Sequence, residues 1–242
     1  MLSLAVQEKL RKPLLGFTRF LHRVNFAGAW YQFTGPINRY LIWQSPFFKG
    51  FNPTLIVDVG ANTGEFILNA RAAFPNARLL AFEPHPDAIK TLQTTHRNDS
   101  HFVLQPVGLG SETGTATLYV PDFSPGSSIV AKPTGEHREV TIAIRQLDEF
   151  IDHIPSEGSV LIKIDVEGYE LEVLRGGRAF LAKADYLYLE ARTTNAIGCT
   201  FEDIHRFMQS IGWAYLGAYD SVFAPSGELL YFDALFKRLV TT

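Results

Sequence analysis

Residues 55–65, with the sequence LIVDVGANTGE, decide the fold because they join a buried strand, a glycine-containing turn and the start of a helix. The run LIVDV is short and almost continuously apolar, which is typical of a parallel strand covered on both faces. Gly60 and Gly64 let the backbone turn sharply and approach a ligand without a Cβ in between. Open α/β sheets bind ligands at the carboxyl ends of their strands. The turn is therefore a candidate binding site.

From residue 55 onward, strand and helix patterns alternate along the chain. The predicted strands cover residues 55–59, 78–82, 101–107, 160–164 and 186–189, and the predicted helices cover 65–74, 86–97, 170–181 and 201–211. Residues 115–120 and 139–144 alternate like an antiparallel pair around a loop at 122–135, and 213–219 with 229–237 form a closing pair. This alternation predicts βαβ units and one α/β domain, residues 53–242, with a mostly parallel sheet.

Residues 1–52 have a different character. Between residues 7 and 23 there are five Lys and Arg residues and a single acid, Glu8, with leucines and phenylalanines in between. This pattern predicts a basic, partly amphipathic helix. Aromatic residues follow up to Phe48. We expect an N-terminal helical and aromatic extension. It either caps the domain or makes peripheral contact with an anionic membrane surface through residues 1–50.

Composition excludes several classes of protein. The 242 residues are 46% hydrophobic and 19% charged, with a net charge of -3, so a globular chain is expected and nucleic acid is not an expected partner. The single cysteine, Cys199, and seven scattered histidines predict neither a disulfide framework nor a metal site. No apolar run reaches the roughly 20 residues that span a bilayer. Charged residues interrupt the early apolar stretch where a signal peptide would lie, so a cytoplasmic protein is the expectation.

The charges around the turn indicate which ligand it takes. Glu83 ends the second strand at about the 20-residue spacing from Gly60 that is expected of a carboxylate binding ribose hydroxyls. A dinucleotide would place its pyrophosphate on the helix N-terminus. Glu65 occupies the first helical turn, and the loop contains no Lys or Arg. S-adenosylmethionine (SAM) has no phosphate and carries a sulfonium and an ammonium, so Asp58 and Glu65 favour it. Capping of the helix dipole by Glu65 is the simpler alternative.

A second acidic segment, KIDVEGYE at residues 163–170, follows the fourth core strand. Strand alternation puts Lys163 and Asp165 on one face, so we expect Lys163 to pair with an acid. Asp165 and Glu167 are candidates to orient an acceptor hydroxyl or to accept its proton. With Glu190 at the next strand end, they are also an oxygen set that suits Mg²⁺. Capping of the following helix by Glu167 and Glu170 is the alternative without a catalytic role.

With these motifs, the chain resembles the FkbM family of SAM-dependent methyltransferases. The resemblance covers residues 55 to about 190 and is most particular at the segment IKIDVEGYE. The matching segments are IVDVGANTGE (56–65), FEPHP (82–86), VGLGS (107–111) with Gly114, GSSI (126–129), LD (147–148), and IKIDVEGYE (162–170) with LRG (174–176).

The resemblance implies a Rossmann-like class I methyltransferase fold, with a seven-stranded, mostly parallel sheet and an antiparallel last strand. It implies methyl transfer to a hydroxyl of a sugar, glycan or other small metabolite, with S-adenosylhomocysteine as product. Glu83 is expected at the ribose, Asp165 and Glu167 at the acceptor side, and Ser127 and Ser128 in a loop over the site. The residues expected at the methionine part are Asp58, Gly60, Asn62 and Gly64.

Two other functions remain open from the sequence. A nicotinamide-dependent oxidoreductase would use the same kind of sheet, although Glu65 and the missing third glycine of GxGxxG count against it. A SAM-binding module without activity, kept for interaction, is the other. Neither the acceptor nor the oligomeric state follows from the fold.

Overall fold

The buried apolar runs pair into a seven-stranded sheet in a computed structural model, which describes residues 46–121, 126–132, 135–194 and 197–239. In chain order the elements are a 3-10 turn (Pro46–Phe48), β1 (Pro53–Val59), α1 (Glu65–Ala73), β2 (Arg78–Phe82), α2 (Pro86–Thr95), β3 (Phe102–Gln105), β4 (Gly108–Leu109), β5 (Gly114–Pro121), β6 (His137–Arg145), a 3-10 helix (Leu147–His153), β7 (Ser159–Ile164), α3 (Glu170–Arg175), α4 (Arg178–Leu181), β8 (Tyr186–Arg192), α5 (Phe201–Ser210), β9 (Trp213–Phe223) and β10 (Leu229–Arg238).

The strand order of the large sheet is β3-β2-β1-β7-β8-β10-β9. The first five strands in this order run parallel, whereas β10 is antiparallel to both β8 and β9. The predicted seven-stranded sheet with an antiparallel last strand is therefore confirmed. Its order reverses between β1 and β7, and ligands of open α/β sheets bind at such a switch point.

Two apolar cores cover the two faces of this sheet. Ile56 packs with Phe66 and Ile67 of α1 on one face, and its neighbour Val57 packs on the other face with Val173 of α3. Successive strand residues point to opposite faces, so a strand buried on both sides needs the continuous apolar run seen in the sequence.

A second, smaller sheet has the order β4-β6-β5. The predicted antiparallel pairing of β5 with β6 is confirmed, and β4 adds a short parallel strand that the sequence pattern did not predict. The residues that face inward form a small core of their own, made of Leu118, Val120, Ile142 and Ile144. This sheet supplies one wall of the cleft described below.

The continuous helix predicted for residues 170–181 is wrong, because it breaks at Gly176 and Gly177 into α3 and α4. A Cβ at Gly176 would lie 2.0 Å from the carbonyl oxygen of Gly110, so the chain passes too close for a side chain. Asp148 starts the new helix by accepting hydrogen bonds from the amides of Ala179 (3.1 Å) and Phe180 (2.8 Å). The motif residues Gly110, Asp148 and Gly176 thus fix how the loops around α3 and α4 pack.

The end of the aromatic N-terminal segment packs on the domain. The ring of Phe48 lies 5.2 Å from that of Tyr186 on β8, and the Tyr186 hydroxyl donates to the carbonyl oxygen of Phe47 (3.1 Å). The predicted basic helix lies outside the described residues, as do residues 1–45 of the segment predicted to contact a membrane through residues 1–50. Among the residues that are described, no helix has both the length and the apolar character that crossing a bilayer requires.

Candidate active site

The turn after β1 brings two strand-end loops into contact. Gly60, Asn62 and Gly64 all adopt left-handed backbone conformations, with φ of 80°, 47° and 91°. Glycine and, less readily, asparagine tolerate this region. A Cβ at Gly60 would lie 1.9 Å from the carbonyl oxygen of Asp165, so the turn can rest on the loop after β7 only because residue 60 has no side chain.

Glu83 lies at the end of β2 with 6% of its surface exposed. Its Oε2 accepts from the amide of Asn62 (2.6 Å) and its Oε1 from the amide of His85 (2.8 Å), so two loops hold the carboxylate. Burial raises the pKa of Glu83, against the two amide hydrogen bonds that lower it. The oxygens keep accepting capacity toward the cleft, as a carboxylate that binds ribose hydroxyls must.

Lys163 is buried between two carboxylates beneath the turn. Its Nζ lies 3.3 Å from Asp58 Oδ1 and 3.3 Å from Asp165 Oδ2, and it donates to the carbonyl oxygen of Gly60 at 3.3 Å. The parallel register of β1 and β7, which places Asp58 opposite Lys163, creates this arrangement. The predicted pairing of Lys163 with an acid is confirmed.

A cleft of about 510 Å³ opens at the carboxyl ends of β1, β2 and β7, and β5 and β6 cover one side. Of the described residues, four acids and one arginine line it: Glu83, Asp87, Asp165, Glu167 and Arg138. Arg138 is itself paired with Asp87 at 3.1 Å. His85 also lines the cleft. Desolvation lowers the pKa of His85 and so favours the neutral form of its imidazole. The surplus of carboxylates favours a cationic ligand.

Glu167 stands on the loop after β7 in a left-handed conformation, with φ of 54°. Its Oε2 accepts from Arg192 Nη2 at 2.6 Å. Burial and the nearby Asp165 raise the pKa of Glu167, and Arg192 opposes them. A carboxylate with a raised pKa that faces a cleft is suited to accepting a proton near neutral pH.

Glu190, at the end of β8, also contacts Arg192, with 2.9 Å between Oε1 and Nη2. Burial, followed by the charges of Asp165 and Glu167, raises the pKa of Glu190 to about 9. Within the ranges that the structure describes, no three His, Cys, Asp or Glu side chains are grouped to hold a metal ion. At the position considered for Mg²⁺, a guanidinium supplies the positive charge.

The predicted site residues divide into two groups. Those that line the cleft are Gly60, Asn62, Glu83, Ser127, Asp165 and Glu167. Those that do not are Asp58, Gly64, Glu65, Ser128 and Glu190. The structure brings the carboxylates of both acidic segments together. Of the second group, Asp58, Ser128 and Glu190 contact residues of these segments or their partners.

Three members of that second group have evident local contacts. Gly64 is buried, and a Cβ there would lie 2.8 Å from Leu92. Glu65 is exposed at the first position of α1, in keeping with the alternative that it stabilises the helix dipole. Ser128 is 5% exposed, and its Oγ donates to the carbonyl oxygen of Glu167 at 2.9 Å. Ser128 therefore fastens one loop to another.

Glu170 is also a structural carboxylate. Its Oε1 accepts from the amides of Val166 and Gly168, both at 3.1 Å, and only 2% of the residue is exposed. These amides belong to the loop before α3, so Glu170 holds that loop and does not form the expected cap on the amides of the helix. Glu167 instead points to Arg192.

Arg192 is the contact residue that the sequence reasoning missed. Strand alternation places it on the same face as Glu190, two residues earlier, and this was the available signal. Two residues that do line the cleft, Asp87 and Arg138, were also missed, because α2 and the second sheet bring them there only after folding.

Several curated proteins are similar to this chain over about half its length. Methyltransferase 1 of Beauveria bassiana (strain ARSEF 2860) is 33% identical in an alignment of 144 residues that covers 51% of this chain and 58% of that protein. Methyltransferase sdnD of Sordaria araneosa is 33% identical in an alignment of 157 residues that covers 52% of this chain and 60% of that protein. The hexuronic acid methyltransferase AglP of Haloferax volcanii is 31% identical in an alignment of 134 residues that covers 55% of this chain and 54% of that protein. The chain thus spans little more than half the length of these relatives.

The family model described as methyltransferase FkbM domain matches residues 58–215, a range that contains every cleft residue named above. The surplus of carboxylates and the amide-held Glu83 fit the positive charge and the ribose of SAM. The resemblance drawn from the motifs is confirmed: the chain belongs to the FkbM methyltransferase family, whose cofactor is S-adenosyl-L-methionine.

Proposed function

We propose that this chain transfers a methyl group from SAM to a hydroxyl oxygen of a saccharide or similar hydroxylated metabolite. The observation that carries the proposal is the placement of Asp165 and Glu167 on the same cleft as Glu83. This arrangement joins a ribose-binding carboxylate to a pair of carboxylates suited to an acceptor hydroxyl. The similarity to a protein named hexuronic acid methyltransferase supports a saccharide acceptor.

On the cofactor side, Glu83 would accept hydrogen bonds from the ribose hydroxyls, and the turn at Gly60 and Asn62 would hold the methionine part. Asp58 would contribute through Lys163 beneath the turn, since it does not line the cleft. When bound, SAM supplies a methyl group on a sulfonium, which is already a good leaving group.

On the acceptor side, Glu167 would accept the proton that the hydroxyl loses as its oxygen gains the methyl group. Both carboxylates contact a cation, Glu167 with Arg192 and Asp165 with Lys163, so what favours Glu167 as the base is its raised pKa. Asp165 lines the cleft beside it. It would orient the hydroxyl instead. Alignment of the acceptor oxygen with the methyl carbon would supply much of the rate enhancement, as it does where reactants are held in reactive geometry.

A nicotinamide oxidoreductase is less well supported. The pyrophosphate of a dinucleotide would meet four acids against one arginine among the described lining residues. A SAM-binding module without activity would have no use for the paired carboxylates at the acceptor side.

The test is an acceptor panel assayed with SAM. We expect S-adenosylhomocysteine to form with saccharides that have free hydroxyls, uronates included, and not with the same saccharides after their hydroxyls are blocked. Mass spectrometry should find one added methyl group that survives mild alkaline hydrolysis, because a methyl ether resists base and a methyl ester does not. Formation of a base-labile ester on a uronate would contradict hydroxyl methylation.

A further inference from the structure

One guanidinium nitrogen at the end of β8 contacts two carboxylates. Arg192 Nη2 lies 2.6 Å from Glu167 Oε2 and 2.9 Å from Glu190 Oε1. All three side chains are at least partly withdrawn from solvent, with 18%, 36% and 12% exposed. The contact with Glu167 is also a hydrogen bond, and a charge-assisted hydrogen bond in a partly buried site is stronger than a surface ion pair.

The sheet itself fixes Arg192. It is the last residue of β8, and its register partner on β10 is Tyr231. The Tyr231 ring centroid lies 5.6 Å from the guanidinium carbon, within the range of a cation–π contact. Glu190, two residues earlier on the same strand face, contacts the same guanidinium nitrogen at 2.9 Å.

The carboxylate of Glu167, in contrast, is carried by a loop. The residue has φ of 54°, a region that non-glycine residues seldom occupy. A Cβ at Gly126 would lie 3.3 Å from Glu167 Oε1, so the side chain also passes close to a neighbouring backbone. The Ser128 hydroxyl holds the Glu167 carbonyl oxygen, leaving the carboxylate itself to Arg192.

The charge distribution directs Arg192 toward Glu167. Burial, followed by the charges of Asp165 and Glu167, raises the pKa of Glu190 to about 9, which favours its neutral form. A neutral Glu190 competes less for the charge of Arg192, which then acts mainly on Glu167.

We propose that Arg192 is a positioning residue, which anchors the Glu167 carboxylate to the sheet and sets its orientation at the acceptor side of the cleft. Arg192 does not line the cleft and acts through Glu167. The catalytic consequence rests on the function proposed above, whereas the contact between the two side chains does not.

The direct test follows Glu167 without acceptor or SAM. In protein labelled with ¹³C at the glutamate carboxyl carbon, the Glu167 resonance is assigned by its loss in Glu167→Gln. Removing a positive charge at 2.6 Å in Arg192→Met should move the titration midpoint of Glu167 upward by about one pH unit or more. Arg192→Lys, which keeps the charge, should give a smaller change. Arg206→Met, which breaks an exposed pair with Glu202, should give none.

An unchanged Glu167 midpoint in folded Arg192→Met would overturn the proposal. If the midpoint moves but the wild-type protein methylates no acceptor, the proposed function fails and the positioning contact stands.

Kinetics give the second readout. Arg192→Met should lower kcat by about 10²-fold, the cost of misplacing a reacting group, with unchanged affinity for S-adenosylhomocysteine. The double variant Arg192→Met with Glu167→Gln should lose no more activity than Glu167→Gln alone, because residues that act through one another are not additive. If the fold losses in kcat of the two single variants instead multiply in the double variant, Arg192 acts independently of Glu167, which would contradict the proposal.

Discussion

Glu167→Gln should lower kcat for methyl transfer by about 10²- to 10⁴-fold, the usual contribution of a general base. The amide is nearly the same size and can still accept a hydrogen bond from Arg192, so the loop should keep its conformation. What it cannot do is take the acceptor proton. Affinity for S-adenosylhomocysteine, measured by calorimetry, should be nearly unchanged, because Glu83 and the Gly60 turn are untouched.

The pH profile provides a second readout of the same variant. The pKa of Glu167 is raised, chiefly by burial, so kcat/KM for the wild-type protein should fall as pH drops through a value above the ordinary glutamate range. The base works only when it is deprotonated. This acidic limb should disappear in Glu167→Gln.

The control for Glu167→Gln is Glu202→Gln, an exposed position on α5, which should leave turnover unchanged. Full turnover in Glu167→Gln combined with its loss in Asp165→Asn would transfer the role of base to Asp165.

Lys163→Met should lower the free energy of unfolding by about 3–5 kcal/mol, the range found when one partner of a buried charge network is removed. Lys163 is 6% exposed and sits between Asp58 and Asp165, at 3.3 Å from each. Methionine fills a similar volume but leaves both carboxylates without this counter-charge. Urea unfolding should show a lower midpoint with an unchanged slope.

Two further variants test this explanation. Lys90→Met, which removes an exposed ion pair with Asp87, should leave the urea midpoint unchanged. The double variant Lys163→Met with Asp58→Asn should recover part of the lost stability, because it removes the charge of one of the two carboxylates that contact Lys163. A double variant less stable than Lys163→Met would contradict the electrostatic explanation.

Much of the large sheet was predictable because its signals are local. The run LIVDV and the run VLIKI are apolar on both strand faces, and Gly60 and Pro75 mark the turn and the helix end beside them. The interruption at Gly176 and Gly177 was missed, although a Gly-Gly pair inside a helical pattern is a local signal of a turn. What the local pattern does not show is the close approach of the Gly110 carbonyl oxygen, from a residue far away in the sequence, which leaves no room for a side chain at position 176.

The candidate site was predictable where strand ends carry the charge. Glu83, Asp165 and Glu167 follow buried strands, and parallel strands bring such residues to one edge of the sheet. Arg192 was missed because an arginine at a strand end is expected to be solvated. Its register with β10, which shows its neighbours in the sheet, is not evident from the sequence. The sequence pattern predicted that Asp58 contacts the cofactor, but in the structure its side chain lies beneath the turn and contacts Lys163.

The most direct test of the account is calorimetric titration of the protein with S-adenosylhomocysteine, compared with NADH and repeated on Glu83→Gln. We expect micromolar binding of S-adenosylhomocysteine and no binding of NADH. Loss of a charged acceptor for the ribose hydroxyls costs about 1.5–3 kcal/mol, so affinity in folded Glu83→Gln should drop by about 10- to 100-fold. Binding of NADH, or failure of the folded wild-type protein to bind S-adenosylhomocysteine, would contradict the assignment of this cleft to SAM.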